Sequence, residues 1–326
     1  MHRGHLPPPP ATDGRADDGV PARRQWLHAV LLLTGLAVAV WLLAPQVHEV
    51  PAGLAALVGA RPGWLALAVG IALLPFLAAA LALQGAVPAR LHYGHITQVQ
   101  IAGAFATAIA PAGVAAMALT ARYLERAGVP RGQALAAVAV VRIAATAAHV
   151  LLLALLAPIV LEHVVIVTPS VWWLAAAAAV AGSLALLVRF VPALRARAAT
   201  GWAKLARPLR QIAPDGPRVG LLVIGSVAIS ATRALTLYAC LLAVGARPPL
   251  LAVIGLVLAA EAAGLLATTP AGLGVLDGIA LAGLAAFGVA IPVAIAAVLL
   301  FRLLTFWAPM LPGALTLWRL RHTGRV

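Results

Sequence analysis

The chain has 326 residues, 63% of them hydrophobic and only 10% charged. Ordinary soluble domains carry about 25% charged residues, so this composition excludes a water-soluble globular fold and requires most residues to face lipid or one another. The formal net charge of +14 fits basic loops that fix topology and meet anionic lipid, and no nucleic-acid partner is expected.

Taken in chain order, residues 1–25 hold Pro7 to Pro10, Asp13, Asp17 and Asp18 and read as a disordered cytoplasmic tail. The first apolar run, Leu27–Ala44, follows Arg23 and Arg24 and lacks a small-residue cleavage site, so a retained span is expected rather than a signal peptide. A bilayer-crossing helix needs about 20 apolar residues. Spans are therefore predicted at Leu27–Ala44, Trp64–Leu83, Gln133–Ala157, Val171–Phe190, Val219–Val244 and Pro292–Leu315. Residues 45–63, 158–170 and 245–249 read as loops. The basic stretch 192–213, with Trp202, Leu205 and Leu209, is either a helix lying in the interface or a solvated loop. The one cysteine, Cys240, sits in an apolar run, so no intrachain disulfide can form.

Two apolar regions differ from these spans. Ile96–Ala121 carries Pro111-Ala-Gly113 at its middle, and Leu250–Gly288 carries Pro270-Ala-Gly272-Leu-Gly274. Proline removes a backbone donor and glycine loosens a helix, so both regions should break there. Basic residues tell whether they cross. Arg189, Arg195, Arg197, Lys204, Arg207, Arg210 and Arg218 mark 189–218 as cytoplasmic, whereas the loops 45–63, 158–170 and 245–249 hold only Arg61 and Arg247. Both termini and the loop 122–131, with Arg122, Arg126 and Arg131, fall on the cytoplasmic side if Ile96–Ala121 dips in and returns. The same parity makes Leu250–Gly288 a hairpin from outside, although two full crossings there fit equally well.

An internal echo supports this organisation. Gly128–Arg142 and Gly288–Arg302 align at a spacing of 160 residues, with Gly and Arg at the two ends. Upstream, Pro111-Ala-Gly113 and Pro270-Ala-Gly272 repeat. The expected fold is an all-α polytopic membrane protein: an inverted repeat of about four plus four hydrophobic segments with two Pro/Gly-broken re-entrant hairpins. One transmembrane domain should cover residues 26–318, with repeats at about 27–157 and 171–315, followed by a basic cytoplasmic tail, 319–326.

The second hairpin and its sequel, Pro270-Ala-Gly272-Leu-Gly274-Val-Leu-Asp277, then Gly288-Val, then Ala297 through Arg302 to Trp307-Ala-Pro309, resemble the lysylphosphatidylglycerol synthase transmembrane region, a flippase-like family. Pro111-Ala-Gly113 with Arg122, Gly128 and Arg142 is similar to that family's earlier motif. Asp277 stands where the family usually has Glu, and Val114-Ala-Ala-Met117 is more apolar than the family's segment after the first turn. The resemblance spans roughly residues 27–318. It implies translocation of a lipid or lipid-linked substrate. It does not imply lysyl transfer, which belongs to a separate soluble domain for which no room is expected here.

Arg142, Arg233 and Arg302 fall inside predicted spans. A charge at the bilayer centre costs about 2.5–3.5 kcal/mol on insertion scales, so each needs a cavity or a partner. One reading has them grip the phosphate of a headgroup; the other makes them ion pairs or caps on carbonyls freed by a broken helix. Asp277 either pairs with Arg302 or takes a coupling cation or proton. Glu261 is a proton site or a salt-bridge partner. Pro111, Gly113, Pro270, Gly272 and Gly274 should shape the hairpin tips at the substrate path. His92 and His95 lack a third ligand and read as interfacial, and His149 as polar packing. No metal or cofactor is expected, and no phosphate-binding loop or hydrolase motif is present in the sequence. The function expected is therefore non-enzymatic: translocation, without ATP, of an anionic phospholipid or lipid-linked glycan in the plasma membrane. The alternatives are a scaffold or regulator of an envelope lipid or glycan synthesis enzyme, and an intramembrane enzyme using Asp277, Glu261 or His149.

Overall fold

A computed structural model describes residues 50–109, 114–164, 216–266 and 275–326. Among the described residues all regular structure is helical. Helices α1 (Val50–Val58), α2 (Pro62–Ala86), α3 (Tyr93–Ile109), α4 (Val114–Arg126) and α5 (Arg131–Val164) form the first half. The second half has α6 (Gly216–Ala243), α7 (Leu250–Leu266), α8 (Val275–Ala286), α9 (Ile291–Arg302), a π-helical turn at Leu303–Trp307, and α10 (Ala308–His322). Four helices are long and apolar enough to cross a bilayer: Pro62–Ala86, Arg131–Pro158, Gly216–Ala243 and Ile291–His322. They coincide with four of the predicted spans. The spans Leu27–Ala44 and Val171–Phe190, and the stretch 192–213, lie outside the described residues.

On either side of each expected break the described residues form separate helices. Helix α3 ends at Ile109 and α4 starts at Val114; α7 ends at Leu266 and α8 starts at Val275. Within each pair the two arms pack on each other. The arms are 17, 13, 17 and 12 residues long, all below the ~20 residues of a full crossing. The hairpin-tip residues themselves, Pro111, Gly113, Pro270, Gly272 and Gly274, lie outside the described residues.

The echo seen in sequence has a physical basis at its glycine ends. Gly128 and Gly288 adopt φ of 89° and 79°, the left-handed conformation that costs glycine least. The Gly128 N–H donates to Glu125 O (3.1 Å) and the Val129 N–H to Leu124 O (3.0 Å). The Gly288 N–H donates to Ala285 O (2.9 Å) and the Val289 N–H to Leu284 O (3.0 Å). Both are Schellman caps. Each ends one helix and starts the next, and Arg142 and Arg302 then stand eleven residues into α5 and α9. At 1.5 Å per residue that is about 16 Å, half the ~30 Å hydrocarbon thickness.

The central contact is between α2 and α6. Gly225 approaches α2 so closely that a Cβ there would lie 2.5 Å from Ala82 N, and one at Gly85 would lie 2.5 Å from Leu222 N. The order of these contacts makes the helices antiparallel. Small residues allow such approach, which matters where lipid supplies no hydrophobic drive between helices. Around this pair lie two apolar clusters. One joins the end of α2 with α3, α4 and α5; the other joins the end of α6 with α7, α8 and α9. Packing also crosses between halves: α5 rests on α6 and α7, and α10 rests on α3. Large apolar side chains such as Leu73, Leu77, Leu151, Leu155, Ile224 and Leu311 are exposed, as a lipid-facing surface requires.

Three boundaries depart from expectation. The loop expected at 45–63 contains α1, whose apolar Val50–Val58 segment packs on α9, with Leu57 against the core. Helix α5 continues past Pro158 to Val164, into the expected 158–170 loop. The basic tail begins as the last turn of α10: Leu320 is buried, and Arg319, Arg321 and His322 occupy the C-terminal turn, where cations suit the helix dipole.

The α2–α6 contact gives a direct test. Gly225→Ala should destabilise the purified protein by about 1–3 kcal/mol through overpacking against backbone that cannot yield. Gly220→Ala, on the same helix with open space around the new methyl, should be neutral or stabilising by up to about 1 kcal/mol. Equal melting temperatures for the two variants in detergent would rule out the close contact.

Candidate functional site

Three helices, α5, α6 and α7, bring a polar cluster into the apolar bundle. Helix α5 offers Arg142 and, two turns on, His149. Helix α6 offers Ser230 and Arg233, three residues apart, and α7 offers the Leu258 carbonyl and Glu261, also three apart. Those spacings place each pair on one helix face. Arg233 Nη1 donates to Glu261 Oε1 at 2.9 Å. His149 Nε2 lies 2.9 Å from the Leu258 carbonyl oxygen, and His149 Nδ1 lies 3.3 Å from Ser230 Oγ and 3.9 Å from Glu261 Oε2. The His149 and Glu261 side chains are each 12% exposed, whereas that of Arg233 is 44% exposed. Glu261 is thus the counter-ion of Arg233, one of its two expected roles. His149 is hydrogen-bonded within the cluster, the polar packing expected of it.

Arg142 completes the group, without a counter-ion among the described residues. It is exposed, stands within electrostatic reach of the like-charged Arg233, and makes no hydrogen bond or ion pair among the described residues.

Arg302 sits differently. Its Nε donates to Asp277 Oδ1 at 2.5 Å and its Nη2 to Asp277 Oδ2 at 3.0 Å. This is the two-pronged fork of a guanidinium on a carboxylate. The two side chains are only 11% and 16% exposed. Asp277 lies in the first turn of α8, so its charge also meets the positive end of that helix. The expected pairing of Asp277 with Arg302 is therefore present. Immediately after Arg302 the helix widens into the π turn Leu303–Trp307, a distortion frequent at functional sites.

The two arginines matched in sequence thus have unlike surroundings. The residue 160 positions before Asp277 is Met117, so the first half has no carboxylate in the corresponding place. His92 and His95 stack at the start of α3 with ring centroids 4.7 Å apart. Among the described residues no group of three or more His, Cys, Asp or Glu is placed to hold a metal.

Sequence reasoning singled out Arg142, Arg233 and Glu261 individually but did not join them, and it missed Ser230. Their common signal is the i, i+3 and i, i+7 spacing of polar residues on otherwise apolar helices. That signal becomes readable only when the faces of three helices are known to meet.

Residues 26–313 match the family described as Lysylphosphatidylglycerol synthase TM region. Among curated proteins no match is found.

The buried fork predicts a specific stability pattern. Arg302→Ala leaves Asp277 as an uncompensated charge and should cost about 3–5 kcal/mol. The double variant Arg302→Met, Asp277→Leu removes both charges and should recover most of that loss. A double variant no more stable than Arg302→Ala, by thermal melting in detergent, would contradict the pairing.

Proposed function

This chain belongs to the lysylphosphatidylglycerol synthase transmembrane-region family, and from that premise we propose that it translocates a lipid or lipid-linked molecule with an anionic headgroup. The observation that carries this reading is Arg142, an exposed arginine at mid-depth of a bilayer-length helix, beside a second arginine and without a counter-ion among the described residues. Away from the ends of the described spans lie three arginines, Arg142, Arg233 and Arg302, and the carboxylates paired with them are two, Glu261 and Asp277, on the shorter helices α7 and α8. One more negative charge balances the set, and a phosphodiester headgroup supplies one. The guanidinium fork suits phosphate oxygens, and Arg233 lies within electrostatic reach of Arg142.

The packing supports a four-plus-four inverted repeat with re-entrant hairpins. Three relations have a counterpart on exchange of the halves: α2 with α3 and α6 with α7, α4 with α5 and α8 with α9, α5 on α7 and α10 on α3. The caps at Gly128 and Gly288 match as well. In such repeats substrate binds near the midplane where the halves meet, which is the setting of Arg142 between α5, α6 and α7. The distribution of Lys and Arg supports cytoplasmic termini in a plasma membrane. With no nucleotide-binding motif in the sequence, transport is driven by a gradient or is facilitated. In this reading the protein is not an enzyme, and its partners are anionic phospholipids or lipid-linked glycans.

Two measurements test this. In proteoliposomes carrying fluorescent phosphatidylglycerol, Arg142→Gln should slow translocation by about tenfold or more, the loss expected for one or two charge-assisted hydrogen bonds. Arg142→Lys should fall between it and the wild type, and the melting temperature should hold in both. Wild-type rates in Arg142→Gln would remove the residue from transport and favour a scaffold role. For topology, Cys240→Ala removes a buried thiol, after which a cysteine at Arg131 should stay unlabelled by an impermeant external reagent in intact cells. Labelling there would mean that Ile96–Ala121 crosses the membrane.

A further inference from the structure

We infer that His149 and Glu261 form a proton-binding site whose loading releases Arg233 toward the headgroup, making the proton a co-ligand of the lipid. The inference rests on the headgroup reading above and adds the coupling ion to it.

The hydrogen bonds fix the tautomer. A backbone carbonyl only accepts, so the 2.9 Å contact with the Leu258 oxygen requires the hydrogen on Nε2. In the neutral ring Nδ1 then holds a lone pair, which accepts from the Ser230 hydroxyl at 3.3 Å. That nitrogen is also 3.9 Å from Glu261 Oε2, while the carboxylate's other oxygen takes Arg233 at 2.9 Å. Glu261 is therefore shared between a permanent cation and a ring that can become one.

A proton arriving at Nδ1 reverses the role of that atom. It can no longer accept from Ser230, whose hydroxyl turns to accept instead, and its charge draws on the Glu261 oxygen 3.9 Å away. Glu261 then neutralises His149, and Arg233, with a side chain 44% exposed, is left beside Arg142. With neutral His149 the group Arg142, Arg233 and Glu261 carries one net positive charge; with charged His149 it carries two. A second positive charge favours an anion, and by reciprocity the anion favours the proton. Imidazole is the side chain suited to such a change near neutral pH.

The surroundings leave this exchange to the four groups. Helix α5 contributes Arg142, α6 contributes Ser230 and Arg233, and α7 contributes Glu261. Helix α2, which also packs on α5, has no charged residue between Pro62 and Ala86. On α4, Arg122, Glu125 and Arg126 lie beside the start of α5, about 27 Å along its axis from His149. On α8, Asp277 is held by Arg302.

Calorimetric titration of the full-length protein in detergent with dioctanoyl phosphatidylglycerol, at several pH values from 5.5 to 8.5, tests this. The wild type should bind more tightly as pH falls, by up to about tenfold per pH unit for one linked proton. Binding enthalpies in buffers of different ionisation heat should report proton uptake. His149→Gln keeps an amide donor for the Leu258 carbonyl but cannot titrate, so it should bind with the weak high-pH affinity throughout. Glu261→Gln should bind tightly throughout, because Arg233 is always released. A flat wild-type profile with no proton uptake, which needs no variant to observe, would overturn the proposal, as would a wild-type slope in His149→Gln; His149 would then be a strut between α5 and α7. Failure of the headgroup reading looks different: the lipid would bind equally well to Arg142→Gln, or not at all to the wild type at any pH.

Discussion

A guanidinium inside an apolar helix long enough to cross a bilayer must find an opposite charge or water, and Arg142, Arg233 and Arg302 each lie in such a helix. Water is scarce in hydrocarbon and the desolvation of an ion is costly, so the arrangement of carboxylates decides what each arginine is for. Asp277 encloses Arg302 with both oxygens, and that pair is structural: it holds α8 against α9. Glu261 meets Arg233 with one oxygen and leaves the other turned toward His149. Arg142 has neither arrangement. The charges therefore run from fully paired, through shared, to open, and the open one lies beside the shared one.

Backbone geometry puts these groups within reach of one another. Asp277 stands at the start of a helix. In the first turn of α8 the carboxylate lies at the positive end of the helix dipole and takes the Arg302 fork. An unbroken helix from Leu250 onward would offer no such position. The glycine caps set position on the other side of the turn. Because Gly128 and Gly288 end their helices in the same way and the following helices begin three residues later, the arginines are carried to equivalent positions along α5 and α9. The close contact of α2 with α6 through Gly85 and Gly225 then anchors both halves to one antiparallel pair.

Much of this was legible in sequence because membrane helices obey a length rule and a backbone rule. Runs such as Trp64–Leu83 and Val219–Val244 could be nothing but helices, since unsatisfied backbone is not tolerated in lipid. The Pro/Gly clusters marked the breaks for the same reason. The pairing of Asp277 with Arg302 was legible because few carboxylates could neutralise that arginine. The helix at Val50–Val58 was not, since nine residues fall short of a span and carry no strong periodic pattern. Nor was the grouping of Arg142, His149, Ser230, Arg233 and Glu261. Helix faces in this chain are almost uniformly apolar, so the amphipathic signal that would orient α5, α6 and α7 toward one another is weak, and contacts between residues 81 and 109 positions apart follow from packing alone.

The difference between the halves bears on mechanism more than their likeness does. A repeat with identical charges in both halves would pair or expose its arginines alike. Here Met117 stands 160 positions before Asp277, so under the proposed repeat the two halves carry unlike sets of charges. The second half supplies the carboxylates that pair with Arg233 and Arg302, Glu261 and Asp277, whereas the first half supplies Arg142, which meets no carboxylate among the described residues, and a histidine poised on the second half's Glu261. Any motion of one half against the other shifts α5 relative to α6 and α7, and so changes how Arg142 and His149 face Arg233 and Glu261. The contact most sensitive to such a shift is the 3.9 Å approach of His149 to Glu261, because it is too long for a hydrogen bond as it stands and needs only a small displacement to become one. Charge state and helix position are thereby linked through one carboxylate, which gives the bundle a physical means of relating the presence of an anion to the arrangement of its halves.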